Sequence, residues 1–190
     1  MEQTAAFEDD RLKQALALSL NGDAEAFADL VREHQGMVFS IAYHFLRDRA
    51  LAEDLAQEVF LELHQGLDRI QSPAHLTYWL RRVTANRCID QGRSKQRRRE
   101  LALEDAPEPI AAGQQADPML LKRLQQSLAG LPEKQRLMLI LRFQEGLGPA
   151  EIADVLAIPV NTVKSTLHRS LADLRKGLTR KIREVRYAFF

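Results

Sequence analysis

The chain has 190 residues, 45% of them hydrophobic and 28% charged, which supplies apolar material for one or two modest cores. No run of about 18 apolar residues is present, and Met1 to Arg11 is acidic and lacks the apolar segment of a secretion signal; neither membrane insertion nor export is expected, and the chain is expected to be cytoplasmic. The single cysteine, Cys88, can close no internal disulfide and is read as a buried structural thiol.

The net charge of +1 conceals strong alternation. Residues 1–60 carry −7, 61–100 carry +5, 101–118 carry −4, and 119–190 carry +7. The first basic block ends in Arg93, Lys95, Arg97, Arg98 and Arg99. Two basic blocks parted by an acidic spacer, with the most acidic block upstream, suit a protein that touches a polyanion at two places and a cationic protein surface at a third. Solvated charge clusters would account for any one block taken singly.

Helix signals place these blocks on structure. A first helix is predicted from about Glu8 to Ser19, stopped by Asn21-Gly22, and a second from Ala24 to about His34, capped by Asp23. A third is predicted over about Met37 to Leu46. Asp48 caps a fourth, from about Ala50 to Gln65, ended by Gly66. On it Leu51, Leu55, Val59 and Leu63 recur every fourth residue with Ala52 and Ala56 beside them, while Asp54, Gln57, Glu58 and Leu61 gather opposite. A solvated face explains the acids but leaves Leu61 unexplained, so a partner surface is an equal alternative.

Ser72-Pro73 reads as an N-cap followed by Pro at the first helical position, launching a helix to about Arg93. Tyr78, Trp79, Leu80, Val83 and Ile89 are its expected core anchors. Asn86, Arg87, Asp90 and Arg93 are polar and open to phosphate or single-strand contacts. Residues 101–118 are rich in Pro and poor in periodic apolar residues, which predicts a flexible acidic linker. Helices resume at about Met119 to Ala129 and from Leu131-Pro132-Glu133 to about Gln144.

The stretch from Gly148 to Arg169 reads as helix, tight turn, helix. Ile152, Val155 and Leu156 give the first helix an apolar face, Val163 and Leu167 give one to the second, and Ile158 plugs the angle between them. Asn161, Thr162, Lys164, Ser165, His168 and Arg169 remain outward. Such a helix can enter a major groove with its N-terminal residues at base edges while Lys164 and Arg169 neutralise phosphates. A plain helical hairpin with a solvated face fits the same pattern.

Five motifs in order, spread over nearly the whole chain, then resemble the bacterial sigma factors, and among them the small two-domain extracytoplasmic-function group. They are Asp23-Ala-Glu-Ala-Phe-Ala-Asp-Leu, Ala52-Glu-Asp-Leu-Ala-Gln-Glu-Val-Phe-Leu, Trp79-Leu-Arg-Arg-Val-Thr-Ala-Asn-Arg-Cys-Ile-Asp, Leu131-Pro-Glu-Lys-Gln-Arg, and Ile158-Pro-Val-Asn-Thr-Val-Lys-Ser-Thr-Leu-His-Arg. The resemblance implies an all-α fold of two small helical domains joined by the flexible acidic linker: 1–100 for polymerase docking and the minus-ten element, 101–118 as linker, and 119–190 as the helix-turn-helix domain for the minus-thirty-five element. It further implies that Asp54, Gln57, Glu58 and Leu61 dock on core RNA polymerase, at the clamp coiled coil of its largest subunit. Asn86 would read an extruded base of melted promoter DNA, and Arg87, Arg93, Lys95, Arg97 and Arg98 would hold the strand, offsetting an unstacking cost of a few kcal/mol. Asn161, Thr162, Lys164, Ser165, His168 and Arg169 would bind duplex, the linker would thread a cationic channel of the polymerase, and an anti-sigma factor would hold the free chain.

Two departures from the family pattern stand out. Thr166 occupies a recognition-helix position where relatives commonly have Arg, so one phosphate or base contact is expected to be missing. Ala157 stands at a turn where relatives usually have Gly, and if that turn needs positive φ it costs about 1 kcal/mol. A one-component helix-turn-helix regulator, acting without being a polymerase subunit, is the alternative class, although it would not need the basic tail from Arg93 to Arg99. An enzyme fits least: the five histidines show no metal-binding spacing, Cys88 has no evident His partner, and no Gly-rich phosphate loop occurs. No catalytic residue, metal or cofactor is expected.

Overall fold

The structure, a computed structural model, describes the backbone of residues 2–101, 127–128 and 130–188, and side chains over 9–93 and 130–176 together with Phe7, Ser127 and Leu128. Every regular element among these residues is helical: α1 (Glu2–Leu20), α2 (Ala24–Leu46), α3 (Arg49–Gln65), a 3₁₀ turn (Leu67–Arg69), α4 (Pro73–Leu101), α5 (Glu133–Phe143), α6 (Pro149–Leu156) and α7 (Val160–Ala188). This is the all-α architecture expected. The chain divides into two compact units, Met1–Cys88 and Ile89–Phe190, with the division inside α4. The predicted linker and the helix predicted over Met119 to Ala129 lie almost wholly outside the described residues; only Ser127 and Leu128 are seen, and they are helical.

The first unit is built on α2 and α3. Leu30, His34, Val38, Ile41, Ala42 and Phe45 form one buried stripe of α2, and Ala52, Leu55, Val59 and Leu63 form one of α3, each at the three- and four-residue spacing that keeps side chains on one face. Burying each large apolar side chain contributes roughly 1.5–3 kcal/mol. The local start signals hold. Asp23 accepts hydrogen bonds from the N–H groups of Glu25 (2.9 Å) and Ala26 (3.1 Å), Asp48 from Leu51 (3.1 Å), and Ser72 Oγ from His75 (3.1 Å). Each cap satisfies an otherwise unpaired donor, an effect of about 1 kcal/mol.

Three boundaries differ from the sequence expectation. The second and third predicted helices are one, α2, which runs through His34 to Met37 without a break. Gly36 sits in its interior, exposed, with open space around its Cα; a mid-helix glycine costs about 1 kcal/mol, less than the burial of Leu30, His34, Val38 and Ile41 on the face it shares the helix with. Helix α1 begins at Glu2 rather than Glu8, and α4 continues past Arg93 to Leu101. Of the core anchors expected on α4, Leu80 is buried, together with Leu76, Thr84, Ala85 and Cys88, whereas Tyr78, Trp79, Val83 and Ile89 are half-buried. The i, i+4 series 76, 80, 84, 88 defines the inward stripe, and the aromatic pair flanks it.

In the second unit α5 is buried on nearly every side through Leu137, Met138, Leu139, Ile140 and Leu141, and it packs against both α6 and α7. Ile152, Ala153 and Val155 are the buried residues of α6. Val163, Thr166, Leu167, Ser170 and Leu174 form the buried stripe of α7, and Ser170 Oγ donates to Gln135 Oε1 at 3.3 Å across the α5–α7 contact.

Candidate nucleic-acid interface

Helix α6 starts after Gly148, whose N–H donates to Glu151 Oε2 at 2.7 Å, so the glutamate reaches back to satisfy the helix entrance. It ends at Ala157, which takes the left-handed conformation (φ 51°, ψ 50°). Ala157 N–H bonds Asp154 O at 3.2 Å and Ile158 N–H bonds Ala153 O at 3.0 Å, the two-bond closure that typically wants glycine at this position. Pro159 then offers its carbonyl to the N–H groups of Thr162 (2.9 Å) and Val163 (3.2 Å) and opens α7. The turn is three residues long, and Ile158, half-buried, lies within it.

The two faces of α7 separate cleanly. Asn161, Thr162, Lys164, Ser165, His168 and Arg169 are all exposed, while Val163 and Leu167 are buried. Ser165 Oγ donates to Thr162 O (3.1 Å) and Arg169 Nε to Ser165 O (3.3 Å), so both lie back along their own helix. Thr166 is only 7% exposed. Its position therefore belongs to the packed face of α7, as its place three residues after Val163 and four before Ser170 indicates.

On α3 the other predicted surface is present. Asp54, Gln57 and Glu58 are exposed, and Leu61 stands 64% exposed among them, on the side opposite the buried stripe. On α4, Asn86 and Arg93 are exposed two helical turns apart, on one face with Asp90. Backbone helix continues through Lys95, Arg97 and Arg98, whose side chains lie outside the described residues. Arg87 is placed differently from an open strand-holding cation: it is half-buried and its guanidinium is paired with α3, at 3.2 Å to Glu58 and 2.8 Å to Glu62. Sequence reasoning missed Glu62 altogether, since nothing local links residues 25 positions apart. His44, on α2, is held below the usual imidazole range by burial and by the nearby charge of Arg47. Among the described residues no group of three or more His, Cys, Asp or Glu is placed to hold a metal ion, and no helix is long and apolar enough to cross a membrane.

Comparison with known proteins agrees with this geometry. The family described as Sigma-70 region 2 matches residues 30–98, and that described as Sigma-70, region 4 matches residues 121–174. The ECF RNA polymerase sigma factor SigW of Bacillus subtilis is 30% identical over 180 residues, covering 88% of this chain and 96% of that protein. The chain belongs to the extracytoplasmic-function sigma factors. The RNA polymerase sigma-H factor of Pseudomonas aeruginosa is likewise 30% identical to this sigma factor, over 86% of this chain and 91% of the relative. A solved structure of the sigma factor RpoE of Bartonella quintana, in complex with the anti-sigma factor NepR, superposes with a TM-score of 0.67 over 82% of this chain and 98% of that one, at 20% identity; it supports the fold. The region 2 match spans the helices bearing the Leu61 face and Asn86, and the region 4 match contains the whole helix-turn-helix of this sigma factor.

Proposed function

We propose that this sigma factor docks on core RNA polymerase through Asp54, Gln57, Glu58 and Leu61, reads melted minus-ten DNA with Asn86 and the basic tail of α4, and binds the minus-thirty-five duplex with Asn161, Thr162, Lys164, Ser165, His168 and Arg169. The observation that carries the reading is Leu61, a leucine 64% exposed on the face with Asp54, Gln57 and Glu58, on a helix whose opposite face (Ala52, Leu55, Val59 and Leu63) is buried. A regulator that binds DNA alone has no use for such a surface, whereas a cationic, partly apolar polymerase element would cover it. On α7 the polar residues sit on the N-terminal half of the second helix of the helix-turn-helix, the part that reaches base edges in this motif.

We assign docking and strand capture to residues 1–100 and duplex binding to 119–190, with 101–118 as the acidic connection. The chain performs no chemistry of its own, works in the cytoplasm alongside the polymerase, and is held in check by an anti-sigma factor, as the structurally similar RpoE is seen bound to NepR. Charge reversal at Glu58 tests the docking face directly. Glu58→Lys weakens binding to core polymerase by about ten-fold or more, because like charges are then apposed, while helical content is unchanged; wild-type affinity in a pull-down with a folded variant removes the assignment.

A further inference from the structure

Helix α7 continues well past the helix-turn-helix. The region 4 match ends at residue 174, whereas the helix runs to Ala188, about 21 Å further at a rise of about 1.5 Å per residue. Val163, Leu167 and Leu174 are buried, and Leu171 is 42% exposed. Leu178, Ile182 and Val185 extend the same series in steps of three and four residues, so one apolar stripe, about 100° wide, follows the helix along its length. Residues 176–190 carry Lys176, Arg180, Lys181, Arg183 and Arg186 against the single acid Glu184, a net of +4, and include Tyr187, Phe189 and Phe190. Arg186 falls beside one edge of the stripe, Lys181 falls at the other, and Arg180 and Arg183 fall on the far side.

We propose that residues 176–188 of α7 form an interfacial helix that binds an anionic lipid surface, its apolar stripe toward the acyl chains and its cations among the headgroups. Cations at both edges of an apolar stripe fit a planar anionic sheet, which meets both edges at once. A partner helix of opposite charge would need acids along both of its own flanks. Duplex DNA offers the stripe no apolar phase. On the duplex assignment above, moreover, the helix meets the groove with its N-terminal residues, which leaves Arg183 about 21 Å beyond Arg169 along the axis. A second copy of the same segment is repelled by like charge. Attachment is peripheral and reversible, because the stripe is too narrow and the helix too charged to enter the bilayer core.

Co-sedimentation of the full chain with vesicles of phosphatidylglycerol and phosphatidylcholine in equal parts, against phosphatidylcholine alone, tests the proposal at about 0.1 M salt. Affinity for the anionic vesicles exceeds that for the neutral ones about ten-fold or more. Arg183→Glu lowers it about ten-fold, while affinity for a labelled mixed-sequence duplex falls far less. Lys134→Glu, the same charge change at an exposed residue of α5, leaves vesicle binding near that of the parent protein. Ile182→Gln lowers vesicle binding about five-fold with helical content and the thermal midpoint of the C-terminal unit unchanged. Equal affinity for the two vesicle types, no sedimentation with either, or equal losses from Arg183→Glu and Lys134→Glu would each overturn the proposal. So would a duplex loss from Arg183→Glu that matches the vesicle loss, which gives the charge to DNA. Parental vesicle binding by Ile182→Gln would leave adsorption by charge alone, and a midpoint lowered by several degrees would put the stripe in the protein's own core; either result contradicts an interfacial helix.

Discussion

At Ala157 a side chain occupies a backbone conformation with φ 51°, where the Cβ of an L-residue crowds the following carbonyl at a cost of about 1–2 kcal/mol. Glycine loses more backbone entropy on folding, which offsets part of that, so Ala157→Gly stabilises the C-terminal unit by about 1 kcal/mol, read as a rise of a few degrees in its thermal midpoint. An unchanged or lower midpoint would show that the turn relaxes around alanine. The strain was flagged by the resemblance, which marks this turn as one where relatives usually have Gly, and the left-handed φ of Ala157 meets that condition. Asn86 presents a different case: it is exposed on α4 with both amide donor and acceptor available to a base edge. Asn86→Ala lowers open-complex formation while duplex binding persists, and undiminished permanganate reactivity in the melted region would count against its role. Arg87 and Glu62, by contrast, could be paired only by folding, since their contact depends on how α3 and α4 cross and on nothing in either segment alone.

Among the elements, those with signals inside a few residues were legible and those decided by packing were not. Asp23, Asp48 and Ser72 cap the helices they precede because the capping oxygen and the N–H it serves are two or three residues apart. The gap expected between His34 and Met37 is bridged by α2 through Gly36, since continuous burial on one face outweighs a single glycine. The exposed stripe of α7 was read correctly from period, and Thr166 lies on its inward face. Helix α2 also carries a proton-linked stability. The folded state holds the His44 pKa below the ordinary imidazole value of about 6.5 through burial and the nearby charge of Arg47; the unfolded chain therefore binds more protons as pH drops through that value, and stability is full above it and declines beneath it. His44→Gln, which cannot titrate, flattens the fall in the N-terminal unit's thermal midpoint between pH 7 and about pH 5, and a midpoint curve superposable on that of the parent protein would exclude the linkage.

For the molecule as a whole, charge alternation along the chain was the most telling global signal, and the described structure accounts for part of it. The acidic N-terminal block is spread over α1, α2 and α3, with Glu53, Asp54 and Glu58 on α3, and much of the C-terminal basic block lies on α7. Neither unit alone explains why both surfaces belong to one chain; a promoter-specificity subunit does, because it must be held by the enzyme at one place and by DNA at two others. Transcription in vitro from a promoter library, with purified core polymerase and the full chain, measures that claim most directly. The account predicts initiation at a discrete promoter set that requires this protein and is lost with Glu58→Lys; no initiation above core enzyme alone, or full activity from the charge-reversed variant, would contradict it.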